Sequence, residues 1–171
     1  CKDIRVCQVL HGIVGGSSEQ VIPLVSVVVP VCNAARTLEK CVDSLTSQIF
    51  DDVEILLINN GSTDNSLDVC QKLVEKDSRI KIINIAEKGV SVARNKGLEA
   101  ASGKYISFVD ADDWIDSNYF EELYNAAVGN NADVAVASIY KHKVNYNRYN
   151  VYYSKKISAE TIQNKIKLCQ D

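Results

Sequence analysis

Three carboxylates fall within four consecutive residues, at Asp110, Asp112 and Asp113. Like charges this close repel one another unless a cation or a set of hydrogen-bond donors neutralises them. Mg²⁺ and Mn²⁺ prefer oxygen ligands, typically one or two carboxylates together with phosphate oxygens of a substrate. One interpretation is therefore a divalent-metal site that keeps positions open for a ligand. The other, for Asp113 and Asp116, is that the side chain caps a helix beginning near Ser117.

Two further polar segments and one arginine are weaker signals when each is taken alone. Residues 30–33 and 59–64 each follow a run of β-branched or aliphatic residues. The glycine of the second segment permits a tight turn, and Thr63 or Asp64 is a candidate N-cap for the next helix. Arg94 lies in a third segment, where a surface ion pair is an ordinary role for it.

Hydrophobic periodicity predicts the elements that position these residues. Short β-branched or aliphatic runs predict strands, and apolar residues three or four apart predict helices. Strands are predicted at 25–29, 54–58, 80–83, 105–109 and 134–137, and helices at 37–48, around 67–74, and at 91–101, 117–128 and 158–169. Strands that alternate with helices form right-handed βαβ units. The predicted fold class is α/β, a three-layer α/β/α sandwich with a mainly parallel sheet.

The carboxyl edge of that sheet is the expected place for a ligand, because open α/β sheets bind ligands beyond the ends of their strands. Residues 30–33 follow the first predicted strand, 59–64 follow the second, and 110–114 follow the fourth. The three polar groups are therefore expected at one edge.

The composition is that of an ordinary globular domain. The chain has 171 residues, 46% of them apolar and 24% charged, with a formal net charge of -3. This excludes a disordered chain, a collagen-like repeat and a coiled coil, and it provides no basic surface for nucleic acid. The longest apolar run, 21–32, contains two prolines and is shorter than the roughly 20 residues of a membrane-spanning helix.

The ends of the chain lead to two expectations. The first residues lack a basic stretch followed by an apolar core, and the six cysteines form no CxxC pair. Both features favour a cytoplasmic location. Attachment to the inner face of the membrane would depend on residues outside this chain. The chain begins with Cys1 and contains no methionine, so we expect it to be a fragment or a processed form.

Three regions are predicted along the chain. Residues 1–23 form an N-terminal extension, either an extra edge strand or a leader, and residues 24–140 form the core. Residues 141–171 combine a basic, tyrosine-rich segment with a helix. The tyrosine-rich part is either a solvated pair of edge strands or a contact with an acceptor or a membrane surface.

Four segments, taken together in this order, resemble the family 2 glycosyltransferases of the GT-A fold. They are VSVVVPVCN at 25–33, INNGSTD at 58–64, GVSVARNKGL at 89–98 and GKYISFVDADDW at 103–114. The resemblance covers residues 24 to about 140. A dinucleotide oxidoreductase is disfavoured because no GxGxxG follows the first of these strands.

The resemblance implies a site for a nucleoside-diphosphate sugar, bound with Mn²⁺ or Mg²⁺. Asp110, Ala111 and Asp112 match the DxD motif of the family, in which Asp110 faces the ribose or sugar and both aspartates are metal ligands, Asp112 chiefly. The remaining positions match residues that contact the nucleotide, namely Pro30, Val31, Asn33, Asn60 and Arg94.

The implied reaction is an inverting transfer of the sugar to a hydroxyl of a glycan or lipid-linked acceptor, in glycan or cell-surface polysaccharide biosynthesis. Such a transfer needs a carboxylate general base. No residue is assigned to that role, since Glu160 lies at a predicted helix start where the helix dipole accounts for it. Because only 59 residues follow Asp112, we expect the chain to carry the donor half of a site and to be truncated at its C-terminus.

Two positions depart from the family pattern. Cys32 stands where an aromatic residue commonly stacks on the base, and Asn60 replaces an aspartate that pairs with it. An amide offers donors as well as an acceptor, whereas a carboxylate only accepts. The identity of the base is therefore open, and the alternative function is a non-catalytic or truncated module that binds a sugar nucleotide.

Overall fold

The computed structural model describes residues 10–11, 22–137 and 151–153. The strands are β1 (Leu10–His11), β2 (Val25–Val31), β3 (Val53–Asn60), β4 (Ile80–Ile85), β5 (Tyr105–Phe108), β6 (Ala135–Ala137) and β7 (Val151–Tyr153). The helices are α1 (Leu38–Thr46), α2 (Ser66–Lys76), α3 (Val90–Ala100) and α4 (Tyr119–Gly129). Among these helices, none is long and apolar enough to cross a membrane.

The main sheet is largely parallel, as the alternating pattern predicts. Its strand order is β1-β5-β2-β3-β4, and the four strands β5, β2, β3 and β4 run parallel. β1 pairs antiparallel with β5 at one edge. The predicted strand at 134–137 forms as β6, but it pairs antiparallel with β7 in a separate two-stranded sheet. It does not extend the parallel sheet, since β1 already occupies the outer side of β5.

Side chains that alternate along β2 and β3 supply both faces of the sheet. Val27, Val29 and Leu57 lie in the larger core cluster with buried residues of α1, α2 and α4. Val28 and Ile58 lie in a smaller cluster on the opposite face, which α3 covers. The predicted three-layer α/β/α sandwich is therefore confirmed.

Helix α3 approaches the sheet closely at Gly97. A Cβ atom placed on Gly97 would lie 2.1 Å from Cγ1 of Val28, closer than any real side chain tolerates. Only glycine permits this separation, so the sequence fixes how α3 lies against β2. The residues of α3 near its N-terminus, including Arg94, are thereby held over the carboxyl edge of the sheet.

A buried carboxylate joins the starts of the strands. Glu54 accepts hydrogen bonds from the Ser26 hydroxyl at 2.6 Å, from the Ser102 amide and hydroxyl at 2.7 Å each, and from Lys81 Nζ at 2.9 Å. Burial raises the pKa of Glu54, but the hydrogen bonds from Ser26, Lys81 and Ser102 outweigh it and bring this pKa down to about 2. The charged form is therefore the stable one in the folded chain.

The N-caps of two helices lie later in the sequence than predicted. α2 has Asn65 rather than Thr63 or Asp64 at its N-cap, although an Asp64 oxygen accepts the Ser66 amide at 3.0 Å. α4 has Asn118 at its N-cap, so the capping role considered for Asp113 and Asp116 is wrong.

One backbone amide in the first turn of α4 donates instead to a residue just beyond α1. Gln48, just beyond α1, accepts the Phe120 amide at its Oε1 at 3.2 Å. This partner is 72 residues away in the sequence, which is why a local capping rule does not find it.

Several predictions fall outside the described residues. They are the helix at 158–169 and most of the tyrosine-rich segment, of which only β7 is described. The N-terminal extension is described only at Leu10–His11.

Candidate functional site

The carboxyl ends of the three central strands meet at one edge of the sheet. Val31 at the end of β2 is in register with Asn59 of β3. On the other side, Val28 of β2 is in register with Phe108 of β5, and the Val109 amide donates to the Val28 carbonyl at 3.1 Å. The polar segments after β2, β3 and β5 are therefore neighbours, as the sequence predicts.

Asn33 joins the loops that follow β2 and β3. Its Oδ1 accepts the amides of Thr63 at 2.8 Å and Asp64 at 3.3 Å, and its own amide donates to the Ser62 hydroxyl at 3.2 Å. Its backbone is left-handed, with φ 52°, a conformation that asparagine adopts more easily than most residues. The side-chain Oδ1 of Asn33 therefore already accepts hydrogen bonds within the protein, although the residue as a whole is exposed.

Asp64 strengthens the same junction. Its carboxylate accepts the Ala35 amide at 3.2 Å and the amide of Ser66, while the Ser66 hydroxyl accepts the Ala34 amide at 2.8 Å. The hydrogen bond from the Ser66 side chain lowers the pKa of Asp64. These bonds fix the path of the loop after β2 before any ligand arrives.

Two buried asparagines end β3. Asn59 and Asn60 are 7% and 4% exposed, and the Asn59 amide nitrogen donates to Asn84 Oδ1 at 3.0 Å. The Oδ1 atoms of Asn59 and Asn60 are buried without a hydrogen-bond partner among the described residues. A buried acceptor without a donor costs about 1–3 kcal/mol. Alternation along β3 places Asn60 on the face that α3 covers.

Arg94 extends from α3 to the end of β5. Its Nη2 lies 2.8 Å from Asp110 Oδ1, and its Nε is buried without a partner among the described residues. The sequence gives an ion pair as an ordinary role for Arg94, and Arg94 does form one. Its partner is the first carboxylate of the acidic segment, so two residues predicted for one site are in direct contact.

The acidic segment folds its carboxylates together. Ligand oxygens of Asp110, Asp112 and Asp113 all lie within 4.8 Å of one another. The Asp113 amide donates to the Asp110 carbonyl at 2.9 Å, which closes the turn that brings the third carboxylate round. Asp113 is thus a member of the cluster, the first of the two interpretations that its place beside Asp112 allows.

Side chains of helix α1 form hydrogen bonds with the backbone of this acidic segment. The Cys41 thiol donates to the Asp110 carbonyl at 3.5 Å, and the Ser44 hydroxyl accepts the Ile115 amide at 3.1 Å. Burial, followed by the charges of Asp113, Asp112 and Asp110, raises the pKa of Cys41 to about 12. Cys41 therefore carries its proton at neutral pH and supports the segment through this hydrogen bond.

Trp114, the residue after the carboxylates, contacts helix α1. Lys40 Nζ, on α1, lies 3.1 Å from the centroid of its ring, and Trp114 remains 46% exposed. This cation–π contact ties α1 to the residue after the carboxylates. Sequence reasoning missed it because the two residues are far apart in the chain and neither belongs to a recognisable spacing.

The remaining residues of the predicted site differ in their exposure. Val31 and Ala111 are buried in the larger core cluster, so only their backbone groups face the edge. Pro30 is part of β2 opposite Ile58, and Cys32 is exposed just beyond it. Glu160, considered as a general base, lies outside the described residues.

Residues 26–169 match the sequence profile described as glycosyl transferase family 2. Glycosyltransferase GlyA of Streptococcus pneumoniae is 45% identical over 116 residues, which cover 68% of this chain and 17% of GlyA. Glycosyltransferase EpsJ of Bacillus subtilis is 41% identical over 128 residues, which cover 75% of this chain and 37% of EpsJ. The chain thus spans well under half the length of these two relatives.

Solved structures show the same fold. TarS of S. aureus, residues 1–349 in complex with UDP-GlcNAc, superposes with a TM-score of 0.60 at 24% identity, covering 67% of this chain and 33% of that structure. The mannosyltransferase PcManGT from Pyrobaculum calidifontis, with GDP-Man and Mn²⁺, superposes with a TM-score of 0.56 at 25% identity, covering 60% and 31%. The chain belongs to glycosyl transferase family 2 and has the GT-A fold.

Proposed function

We propose that this chain binds the nucleoside-diphosphate sugar of a glycosyltransferase that passes the sugar to a hydroxyl of a glycan or lipid-linked acceptor. The observation that carries the proposal is the meeting of three carboxylates with Arg94 at the carboxyl edge of the sheet, at 2.8 Å from Arg94 to Asp110. A diphosphate would bind the guanidinium through paired hydrogen bonds, and its metal would bind the carboxylates.

A divalent metal fits the donor set of the acidic segment. The clustered ligands are carboxylate oxygens within 4.8 Å of one another, the chemistry that Mn²⁺ and Mg²⁺ prefer. Asp112 and Asp110 would hold the ion, with Asp113 beside them. When bound, such an ion neutralises the charge that grows on a leaving diphosphate. PcManGT, which superposes on this chain, is a mannosyltransferase solved with GDP-Man and Mn²⁺.

The base and ribose would lie between the loops after β2 and β3. Asn60 brings to that side a buried Oδ1 that has no partner in the described part of the chain, and such an acceptor suits an N–H donor on a nucleobase. Asn33 and the backbone at Pro30 and Val31 would border the same space. Because TarS was solved with UDP-GlcNAc and PcManGT with GDP-Man, the shared fold accommodates more than one base.

The direction of transfer and the cellular setting are part of the same proposal. Transfer with inversion, in which the acceptor hydroxyl attacks opposite the leaving diphosphate, follows from the resemblance to family 2 enzymes. Glycan or cell-surface polysaccharide biosynthesis and a cytoplasmic site of action, where sugar nucleotides are made, follow from the same resemblance. The inner face of the membrane is the place where a lipid-linked acceptor would be met.

A second candidate function is a module that binds a sugar nucleotide without transferring the sugar. Cys32 and Asn60 favour it, because they replace the ring and the carboxylate that family members commonly direct to the base. A thiol provides much less stacking surface than an aromatic ring. Turnover of a donor sugar distinguishes the two functions, since both require that the donor binds.

Thermal unfolding tests the proposal directly. The native chain, Asp112→Ala and the control Asp52→Ala are each unfolded with UDP, GDP, dTDP or CDP, with and without Mn²⁺. Asp52 is an exposed carboxylate at the opposite edge of the sheet, just before β3. Ligand at 100 times its dissociation constant adds about 2.7 kcal/mol to the folded state. We expect a Mn²⁺-dependent rise with at least one nucleotide in the native chain and in Asp52→Ala, and its loss in Asp112→Ala. The absence of any rise in the native chain would contradict donor binding.

A further inference from the structure

Arg94 forms an ion pair with the acidic cluster in the folded chain. Its Nη2 lies 2.8 Å from Asp110 Oδ1, and the Asp110 carboxylate lies within 4.8 Å of those of Asp112 and Asp113. One of three clustered negative charges is therefore paired with a guanidinium. A cation that approaches the cluster meets this positive charge and competes with it for a carboxylate oxygen.

The guanidinium is not saturated by this contact. Arg94 Nε is buried without an acceptor among the described residues. A buried N–H without an acceptor is unfavourable, so the guanidinium gains from an additional anionic ligand. Arginine binds phosphate groups through two parallel hydrogen bonds, which would use this donor and a neighbouring one together.

The backbone that carries Arg94 is held in place, so any exchange of partners must occur in the side chain. Ala93 is fully buried against the sheet, and Gly97 lies so close to Val28 that a methyl group would not fit. The long arginine side chain, by contrast, is 39% exposed and has several rotatable bonds.

We propose that Arg94 is an exchangeable counter-ion that makes the divalent metal and the diphosphate bind cooperatively. Without a diphosphate, the guanidinium stays on Asp110 and weakens binding of the metal to the cluster. A diphosphate draws the guanidinium to itself and releases the Asp110 carboxylate to the metal. By linkage, each ligand then raises the affinity for the other by the same factor. The inference rests on the proposed function for the identity of the two ligands.

The test measures that coupling factor. Binding of Mn²⁺ is followed by the electron paramagnetic resonance of free Mn²⁺, without nucleotide and with saturating UDP, GDP, dTDP or CDP in turn. The Mn²⁺–nucleotide complex that forms in buffer is measured separately and subtracted. Arg94→Met removes the counter-ion. Lys96→Met is the matched control, since it removes one positive charge from the same helix, where Lys96 pairs with Glu99 at 2.7 Å in solvent.

The expected result has two parts. Arg94→Met binds Mn²⁺ alone about tenfold more tightly than the native chain, and the coupling factor falls from about 10 to near 1, a change within the usual range for linked sites. Lys96→Met keeps the native values. Arg94→Lys keeps the charge but loses the planar fork, so its binding of Mn²⁺ alone stays weak while the coupling decreases.

Three outcomes would overturn the inference. Weaker binding of Mn²⁺ alone by Arg94→Met would mean that Arg94 positions Asp110 for the metal. Coupling that is unchanged in both Arg94 variants would mean that the guanidinium does not exchange. A native chain that binds Mn²⁺ and none of the nucleotides would instead remove the proposed function, and the cooperative role of Arg94 with it. Far-ultraviolet circular dichroism confirms that the variants compared are folded.

Discussion

The two edges of the sheet use polar residues in opposite ways. At the amino edge, the carboxylate of Glu54 receives four hydrogen bonds from Ser26, Ser102 and Lys81. At the carboxyl edge, Asn59, Asn60 and Arg94 each leave a buried polar atom without a partner, and these are the only such side-chain atoms among the described residues. The contrast supports the proposal that one edge stabilises the fold and the other binds a ligand, because proteins rarely leave buried polar groups unpaired without a functional reason.

The largest expected effect comes from removing the Glu54 carboxylate at the amino edge of the sheet. Glu54→Ala leaves the donors of Ser26 and Ser102 without their acceptor in a buried position, and we expect it to lower the free energy of unfolding by about 4 kcal/mol. Urea unfolding followed by circular dichroism measures this. The control is Glu99→Ala, which removes an exposed carboxylate paired with Lys96 and should cost well under 1 kcal/mol. Equal losses in the two variants would contradict the contrast between the edges.

Acid should reduce the contribution of Glu54 to the free energy of unfolding. The pKa of Glu54 is about 2 in the folded chain, against an ordinary value of 4.5 when unfolded. The folded chain therefore binds the proton less readily, and the stability that Glu54 contributes is complete above pH 4.5 and is lost as the pH falls toward 2. The loss is about 3 kcal/mol.

Comparison with Glu54→Gln isolates this contribution from the other carboxylates. Unfolding free energies are measured between pH 2 and pH 6 for both chains, and the advantage of the native chain should shrink as the pH falls. A constant difference across this range would show that the charge of Glu54 adds nothing to stability.

A shift of α3 away from the sheet should lower both the stability of the fold and nucleotide binding. Gly97→Ala would place a methyl group 2.1 Å from Val28 Cγ1, and the shift that relieves the clash should cost about 2 kcal/mol. The shift also moves Arg94, so Mn²⁺-dependent nucleotide binding should weaken. Gly129→Ala, at the end of α4, is the control, because nothing lies within 4 Å of the added atom. If Val28→Ala does not recover part of the loss in the double variant, the close contact is not its cause.

The sequence predicts the sheet better than the site, for a physical reason. Local periodicity is enough for β2, β3, β4, β5 and the helices, because each buries a regular stripe of apolar residues. The pairing of β6 with β7 depends on which strand edge is free, which is a property of the whole fold.

At the site, the loops that would meet could be predicted, but their contacts could not. The pair Arg94–Asp110 joins residues that the sequence assigns to one site, but spacing alone does not identify the partner of Arg94. Gln48 with Phe120 and Lys40 with Trp114 join residues more than 70 positions apart, and no local rule links them. For Asp113 the sequence allows both the cluster and a helix cap, because its place in the cluster depends on a turn.

The smallest expected effect sharpens the comparison most, because its sign is opposite to that of the others. Asn60→Leu removes a buried carbonyl oxygen that has no partner among the described residues, and it should raise the free energy of unfolding by about 1 kcal/mol. The same change should abolish the nucleotide-dependent rise in unfolding temperature, as expected where function is kept at the expense of stability.

Asn59→Leu is the matched control for that gain. Asn59 has an equally unpaired carbonyl oxygen, but its amide nitrogen donates to Asn84 at 3.0 Å, so the gain from removing one group is offset by the loss of the other. Its unfolding free energy should therefore stay close to the native value, and urea unfolding of the two variants compares them directly. A loss of stability in Asn60→Leu as large as that in Glu54→Ala would mean that both edges are structural, and the distinction between them would fail.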